Sequence, residues 1–242
     1  MKRPYTFMLV AVSLDGKISP RRRPGQPNPI GPSLIDADIM KLHNSQRANA
    51  DGIMVGLNCI LLDDSRLTLR EGRPGHQLTR IVLDGLAEVP PTAKVLNRDA
   101  PTIMAVTEDA PIERVRAFQD AGAQIVTAGH GKYVDLVLLM NALYEQFGIR
   151  RLLVEGGGTV HQSMISAGLY DEIHLIICPF VIGGSASITP VERSSFWPKE
   201  KVPTFQLVKV DVLGDYLSVI YKPGPDTSCT LSATAECELP AT

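Results

Sequence analysis

The stretch Arg151-Leu-Leu-Val-Glu-Gly-Gly-Gly-Thr-Val-His-Gln-Ser-Met-Ile-Ser-Ala-Gly168 decides how the rest of the chain is read. Leu152 to Val154 is a short apolar run, Glu155 and three glycines follow it, and Thr159 opens a helical pattern that stops at Gly168. That is the order strand, tight turn, helix. Glycine lets the backbone approach a ligand closely, and a helix that starts there points unpaired N–H groups and its positive dipole end into the turn. An anion, above all a phosphate, suits such a place; the alternative is a glycine-rich turn that only packs tightly. The spacing is neither G-x-G-x-x-G nor G-x-x-x-x-G-K-[ST], so the two commonest phosphate loops are not encoded.

Outward from this unit the same alternation continues. Thr102 to Thr107 reads as a strand, Pro111 to Ala121 as a helix with proline at its start, Gln124 to Thr127 as a strand, and Val134 to Phe147 as a helix closed by Gly148. Upstream, Tyr5 to Val12, Asp51 to Gly56 and Arg80 to Asp84 read as strands, and Asp36 to Ala48 as a helix. Downstream, Asp171 to Pro179 is a strand, and Phe205 to Val212 and Tyr216 to Tyr221 form a hairpin across Leu213-Gly-Asp215. Alternating βα units predict an α/β fold with a mainly parallel central sheet, helices on both faces and a C-terminal antiparallel hairpin. Residues 1–222 are expected to form one domain, and 223–242, rich in Pro, Ser, Thr and Ala without periodicity, a disordered tail. Ser19 to Ser33 carries too many prolines for regular structure and is either disordered or a flap over a site. Its Arg21 to Arg23 triplet is either a solvated charge run or a reach towards a ligand phosphate.

Composition removes several classes of function. The 242 residues carry 44% hydrophobic and 21% charged residues, ordinary globular values, and a net charge of -2. A net negative chain lacks the basic face that nucleic-acid binding needs. No apolar run approaches the roughly 20 residues of a membrane span, and Tyr5 to Val12 runs into Ser13-Leu-Asp-Gly without a cleavage site. Cys59, Cys178, Cys229 and Cys237 show no paired spacing, which fits a reducing, cytoplasmic setting and no zinc site. The five histidines are equally dispersed, so no metal is expected. Asp63-Asp64 reads as a cap or turn before it reads as a catalytic pair.

An ordered set of motifs then becomes recognisable: Ser13-Leu-Asp-Gly-Lys-Ile, Arg47-Ala-Asn-Ala-Asp-Gly-Ile-Met-Val-Gly, Asp63-Asp-Ser-Arg-Leu-Thr-Leu-Arg, Val154-Glu-Gly-Gly-Gly-Thr, Asp171-Glu and Pro179-Phe-Val-Ile-Gly-Gly. From about Tyr5 to Tyr221 the chain resembles the pyrimidine reductases of riboflavin biosynthesis, a dihydrofolate-reductase-like domain fused to a deaminase in many bacteria and free-standing in others. The resemblance implies a homodimer that uses NADPH to reduce the ribosyl group of a ribosylaminopyrimidine 5′-phosphate, either the diaminopyrimidinone or its deaminated aminouracil analogue, to a ribityl chain. The zinc-deaminase signature, H-x-E with P-C-x-x-C, is absent from the sequence, so no deamination is expected.

Position by position, the resemblance puts the cofactor against Ala11, Cys59, Asp63 and Thr107, with its diphosphate on Gly156, Gly157, Gly158, Thr159 and Val160. It puts the substrate against Ser33, Arg47, Leu67, Arg70 and Glu155, the arginines being suited to gripping a phosphate. Taken by themselves, Arg47 reads as a helix-end cation and Arg70 as a surface ion pair. Glu155 and Asp15 are the candidates for proton movement, with a bound water as the alternative. Cys59 stands where the family usually has threonine, and Leu9 where some bacterial members carry lysine. Two other readings remain open at this point: a reductase of the same fold acting on another pterin-like heterocycle, and a nucleotide-binding protein without turnover.

Overall fold

The computed structural model describes residues 2–22, 26, 34–69, 77–192, 197–198 and 201–224. Ser33, Arg70, Arg23, much of the proline-rich 19–33 segment and the tail beyond Gly224 lie outside the described residues.

Nine strands form one sheet in the order β5-β4-β3-β2-β6-β1-β7-β9-β8. They are β1 (Tyr5–Val12), β2 (Gly52–Gly56), β3 (Thr79–Leu83), β4 (Thr102–Val106), β5 (Gln124–Thr127), β6 (Arg151–Gly156), β7 (Glu172–Ile177), β8 (Phe205–Leu213) and β9 (Tyr216–Pro223). β1 to β7 pair in parallel, and the β8–β9 hairpin joins antiparallel through β9 against β7. The α/β architecture and antiparallel hairpin are those the residues predict.

Successive strand residues point to opposite faces, so a strand covered on both sides is apolar throughout. In β1, Phe7 and Leu9 pack on one face and Met8 and Val10 on the other, all at least nine-tenths buried. The first face is covered by α1 (Ala37–Ala48), α2 (Leu57–Asp63) and α3 (Ile112–Asp120) through Ile39, Ile60 and Phe118. The second is covered by α4 (Leu136–Glu145) and α5 (Gly158–Ser166) through Leu139, Met140, Leu143 and Met164. Local chemistry sets the helix starts: Asp36 accepts from Asp38 N–H ahead of α1, and Asp135 accepts from the N–H groups of Val137 and Leu138 ahead of α4.

One strand-end residue behaves differently from its sequence appearance. Arg80 on β3 is fully buried, and its guanidinium donates to Asn97 Oδ1 at 2.8 Å and to the carbonyls of Asn97 and Ala100. These bonds fasten the Leu86–Ala100 connection, which contains a short 3-10 turn at Lys94–Leu96, to the sheet.

Strand order fixes where a ligand goes. The chain runs outward from β2 to β5, then returns to insert β6 between β2 and β1. At such a reversal the connections leave on opposite faces and open a crevice at the carboxyl ends of the strands. Glu155 and the three glycines stand there, at the end of β6.

Candidate active site

A cavity of about 600 Å³ follows the carboxyl ends of the parallel strands. Ala11 comes from β1, Gly56 to Cys59 from the β2–α2 junction, Leu83 to Leu86 from the end of β3, and Glu155 and Gly157 to Val160 from the β6–α5 turn.

The turn is built from backbone. Gly156 has φ 128, a conformation that disfavours any residue with a Cβ, and the Gly156–Gly157 peptide is cis. Gly157 caps α5 without a side-chain hydrogen bond, and the first backbone bond of the helix runs from His161 N–H to Gly157 O at 3.1 Å. The N–H groups of Gly158, Thr159 and Val160 therefore have no helical acceptor, and all three residues line the cavity. A Cβ on Gly158 would stand 2.6 Å from Glu192 Cγ, so that position admits only glycine without rearrangement.

Beside the turn lies a compact charge cluster. Arg47 on α1 donates from Nε to Glu155 Oε1 at 2.5 Å and from Nη2 to Glu155 Oε2 at 2.6 Å. His43, one turn earlier on α1, brings Nε2 to 3.6 Å from Glu155 Oε1. Burial works against ionisation of Glu155, but the Arg47 charge and its two hydrogen bonds outweigh it and hold the carboxyl below its usual range. Behind the turn, His161 is fully buried on α5, its Nδ1 2.6 Å from the Tyr170 hydroxyl. Burial lowers its pKa to about 4, partly opposed by Glu155, so the ring is neutral near pH 7.

The expected site residues divide into three groups. Ala11, Cys59, Asp63, Glu155 and Gly157 to Val160 line the cavity, and Gly156 and Arg47 support those that do. Burial raises the Cys59 thiol to about 12, with Asp63 adding to the effect, so it meets the cavity as a neutral S–H. Thr107, Leu67 and Asp15 lie outside this lining. The Thr107 hydroxyl joins Gly85 O to Gly131 O, Leu67 packs into the core with φ 52, and the exposed Asp15 carboxylate accepts from Ser13 Oγ and from the N–H groups of Ile182 and Gly183. Those bonds hold Asp15 ionised with a pKa of about 2, in a loop-fastening place. Ser33 and Arg70 fall outside the described residues.

For Arg47, expected against the substrate, two donors are bonded to Glu155. His43, Lys132, Tyr133 and Glu192 line the cavity without having been anticipated. For His43 a signal existed, because it precedes Arg47 by four residues and so shares its helix face. Arg22 of the arginine triplet is in the wall, its Nη1 2.7 Å from Asp63 Oδ1. Among the described residues no group of three or more His, Cys, Asp or Glu could hold a metal, and no described helix is long and apolar enough to cross a membrane.

An uncapped helix N-terminus lining a crevice at the carboxyl ends of parallel strands, next to a buried carboxylate, is an arrangement in an α/β fold that can receive an anion. Residues 4–218 match the family model described as the RibD C-terminal domain, and the chain belongs to that family. A 2,5-diamino-6-ribosylamino-4(3H)-pyrimidinone 5′-phosphate reductase of Methanothermobacter thermautotrophicus is 38% identical over 223 residues, covering 90% of this chain and 98% of that protein. A protein of the same name from Archaeoglobus fulgidus is 36% identical over 227 residues, covering 90% and 97%. Among solved structures, Acinetobacter baumannii RibD shares the fold with a TM-score of 0.74 at 21% identity, covering 92% of this chain and 58% of that one.

Proposed function

We propose that the protein reduces 2,5-diamino-6-ribosylamino-4(3H)-pyrimidinone 5′-phosphate, converting its ribosyl group to ribityl in riboflavin biosynthesis with NADPH. The observation that carries this reading is the near full-length match to reductases bearing that substrate's name, 98% and 97% of their lengths. The site suits the chemistry. The N–H groups of Gly158 to Val160 offer donors and a positive dipole end to a cofactor diphosphate. Ala11 and Glu155 would hold the nicotinamide end of the cofactor, which supplies hydride when bound. The chain's own residues hold the sugar carbon against it and exclude water, with apolar walls from Val10, Ile18, Ile35 and Met40. The Arg47–Glu155 pair fixes a carboxylate that accepts hydrogen bonds from sugar hydroxyls or ring N–H groups. We assign the substrate phosphate to Arg70 on the resemblance.

A cation in the wall away from Glu155, Lys132, supports NADPH over NADH, since the 2′-phosphate adds negative charge to the adenosine end. We also propose a homodimer: β8 is the outer strand of the sheet, and Val208, Val210 and Val212 on it are exposed, an apolar edge that a second copy would cover. A cytoplasmic location accords with the free thiols of Cys59 and Cys178.

The deciding experiment mixes the purified protein with NADPH and the ribosylaminopyrimidine phosphate, with and without its 2-amino group, and follows reduced-nicotinamide absorbance while identifying the product. Faster oxidation with the 2-amino compound and a ribityl product are expected. Binding of NADPH without consumption of either compound would leave a nucleotide-binding protein and sink the reductase assignment.

A further inference from the structure

We propose that the Tyr133 ring is the platform on which the adenine of the cofactor stacks, with Thr107 as the positioning residue that holds its loop. The inference rests on the nicotinamide dinucleotide proposed above, and it assigns the residue that receives the half remote from the hydride.

Strand order divides the cavity. β1 and β3 are three strand spacings apart, about 14 Å, with β6 and β2 between them. The N–H groups of Gly158 to Val160 therefore stand between the Ala11 end and the Leu83–Leu86 end, as a diphosphate stands between the two bases of a dinucleotide. With the nicotinamide at Ala11, the second base belongs at the β3 end. Leu83, Leu86 and Val134 make the wall there apolar, and Asp84, Glu88 and Lys132 bring charge to it. The buried Asp84 carboxylate closes its own turn by accepting from the N–H groups of Glu88 and Val89, while Glu88 and Lys132 are exposed.

Among the described residues, Tyr133 supplies the one benzene ring in the lining, and it is 52% exposed. A purine offers such a ring a matching flat face, and base–aromatic stacking buries both. The Lys132 ammonium nitrogen is 5.9 Å from the ring centroid, so one loop presents a flat apolar surface and a cation, the pair of groups that an adenosine phosphate needs.

The loop between β5 and α4 is fastened so that the ring is in place before a ligand arrives. Asp135 N–H donates to Ala128 O and Glu108 N–H to Gly129 O, both at 3.0 Å. Gly131 N–H donates to Asp109 Oδ2, and the buried Thr107 hydroxyl lies 2.7 Å from Gly131 O and 3.0 Å from Gly85 O. Lys132 O packs on Gly85 so closely that a Cβ at that position would collide with it. Fixing the loop in advance lowers the ordering cost of binding. It also gives Thr107 a part in cofactor binding from outside the lining: its hydroxyl holds the backbone two residues before Tyr133.

The test measures binding. Calorimetric titrations use NADPH, adenosine 2′,5′-bisphosphate as the adenine half, and reduced nicotinamide mononucleotide as the other half. Tyr133→Ala should raise the Kd of NADPH and of the bisphosphate by about tenfold or more and leave that of the mononucleotide within about twofold. Tyr133→Phe keeps the ring and should bind all three within about twofold of the wild type. Thr107→Val should weaken the two adenine ligands by about fivefold, and Thr107→Ser, which keeps the hydroxyl, should bind them as the wild type does. A Tyr133→Ala protein that binds the bisphosphate as tightly as the wild type overturns the inference and leaves the reductase reading intact. So does equal weakening of all three ligands, which would make the ring a support of the whole cavity. A wild type that binds neither NADPH nor the bisphosphate overturns the dinucleotide reading, and this inference with it.

Discussion

Arg47 and Arg80 are both guanidiniums taken out of water, and their partners make them different devices. Arg80, inside the frame, donates to a side-chain amide and two carbonyls; burial lowers its pKa, with Asp99 opposing from a distance. Arg47, in the site wall, faces a carboxylate, and although burial lowers its pKa too, the Glu155 charge and hydrogen bonds outweigh it and raise the net value. A buried cation satisfied by neutral oxygens ties chain segments together. One satisfied by a carboxylate also sets a neighbour's ionisation, which is what a reaction site can use.

The sharpest way to break the comparison is Arg80→Ala. It removes a fully buried side chain and leaves the carbonyls of Asn97 and Ala100 without their donor, so a loss of about 4 kcal/mol is expected from cavity and unsatisfied-acceptor costs together. Denaturant melts should show that loss, while any protein that remains folded keeps its KM for NADPH. Arg47→Ala should cost about 3 kcal/mol, because it strands the buried Glu155 carboxylate, and should also reduce kcat/KM severely. The double variant Arg47→Met with Glu155→Met should recover most of that stability and none of the activity. If the double variant were as unstable as the single one, a role for the pair as mutual compensation would be wrong.

A third expectation concerns pH. His161 has a folded-state pKa of about 4, against 6.5 for the unfolded chain, because burial opposes its charged form. Between those values the unfolded state binds more protons, so stability rises with pH there. The contribution of the neutral ring is complete above about 6.5 and is lost as pH falls towards 4. At about 1.4 kcal/mol per pH unit over that window, the loss is about 3 kcal/mol. His161→Asn should flatten the acid limb of a stability–pH curve measured in urea, at some cost in stability at pH 7 from the lost Tyr170 contact. Persistence of the full slope in that variant would assign the acid lability to another group. Glu155, whose folded pKa is depressed, loses its contribution in the same direction, as pH falls through its folded value.

Much of this was legible in the chain because it is encoded by near neighbours. Alternating apolar runs gave the strands, Pro111 and Gly148 marked helix ends, and three glycines before a helical pattern announced the α5 turn. What escaped depends on strand order. Glu155 and Arg47 are separated by 108 residues and meet only because β6 inserts between β2 and β1. Nothing local distinguishes Arg80 at the start of a strand from a solvated arginine, since its partners lie 17 and 20 residues away in a connection without periodicity. Asp15 is engaged both within its own turn and by a distant loop. A carboxylate just after a strand end looks catalytic, yet its own turn and the Ile182–Gly183 backbone take up its oxygens. Thr107, similarly, contacts two loop carbonyls and shapes the cavity at one remove.

The smallest effect tests the two ends of the cavity against each other. At the Glu155 end Arg47 is paired with Glu155 and Arg22 with Asp63 within 4 Å, so substitutions there disturb folding and chemistry together. At the other end Lys132 is exposed on the loop after β5, and its contact there is with the Tyr133 ring, 5.9 Å from the ammonium nitrogen to the ring centroid. An exposed lysine meeting a phosphate contributes a screened charge attraction worth about 1 kcal/mol. Lys132→Glu should therefore raise the NADPH Kd roughly tenfold, leave the NADH Kd within about twofold, and leave kcat at saturating NADPH unchanged. Raising the salt concentration should shrink the difference between wild type and variant, because the interaction is open to solvent. Equal weakening of both dinucleotides would mean that Lys132 shapes the Gly85 side of the cavity sterically and does not select NADPH.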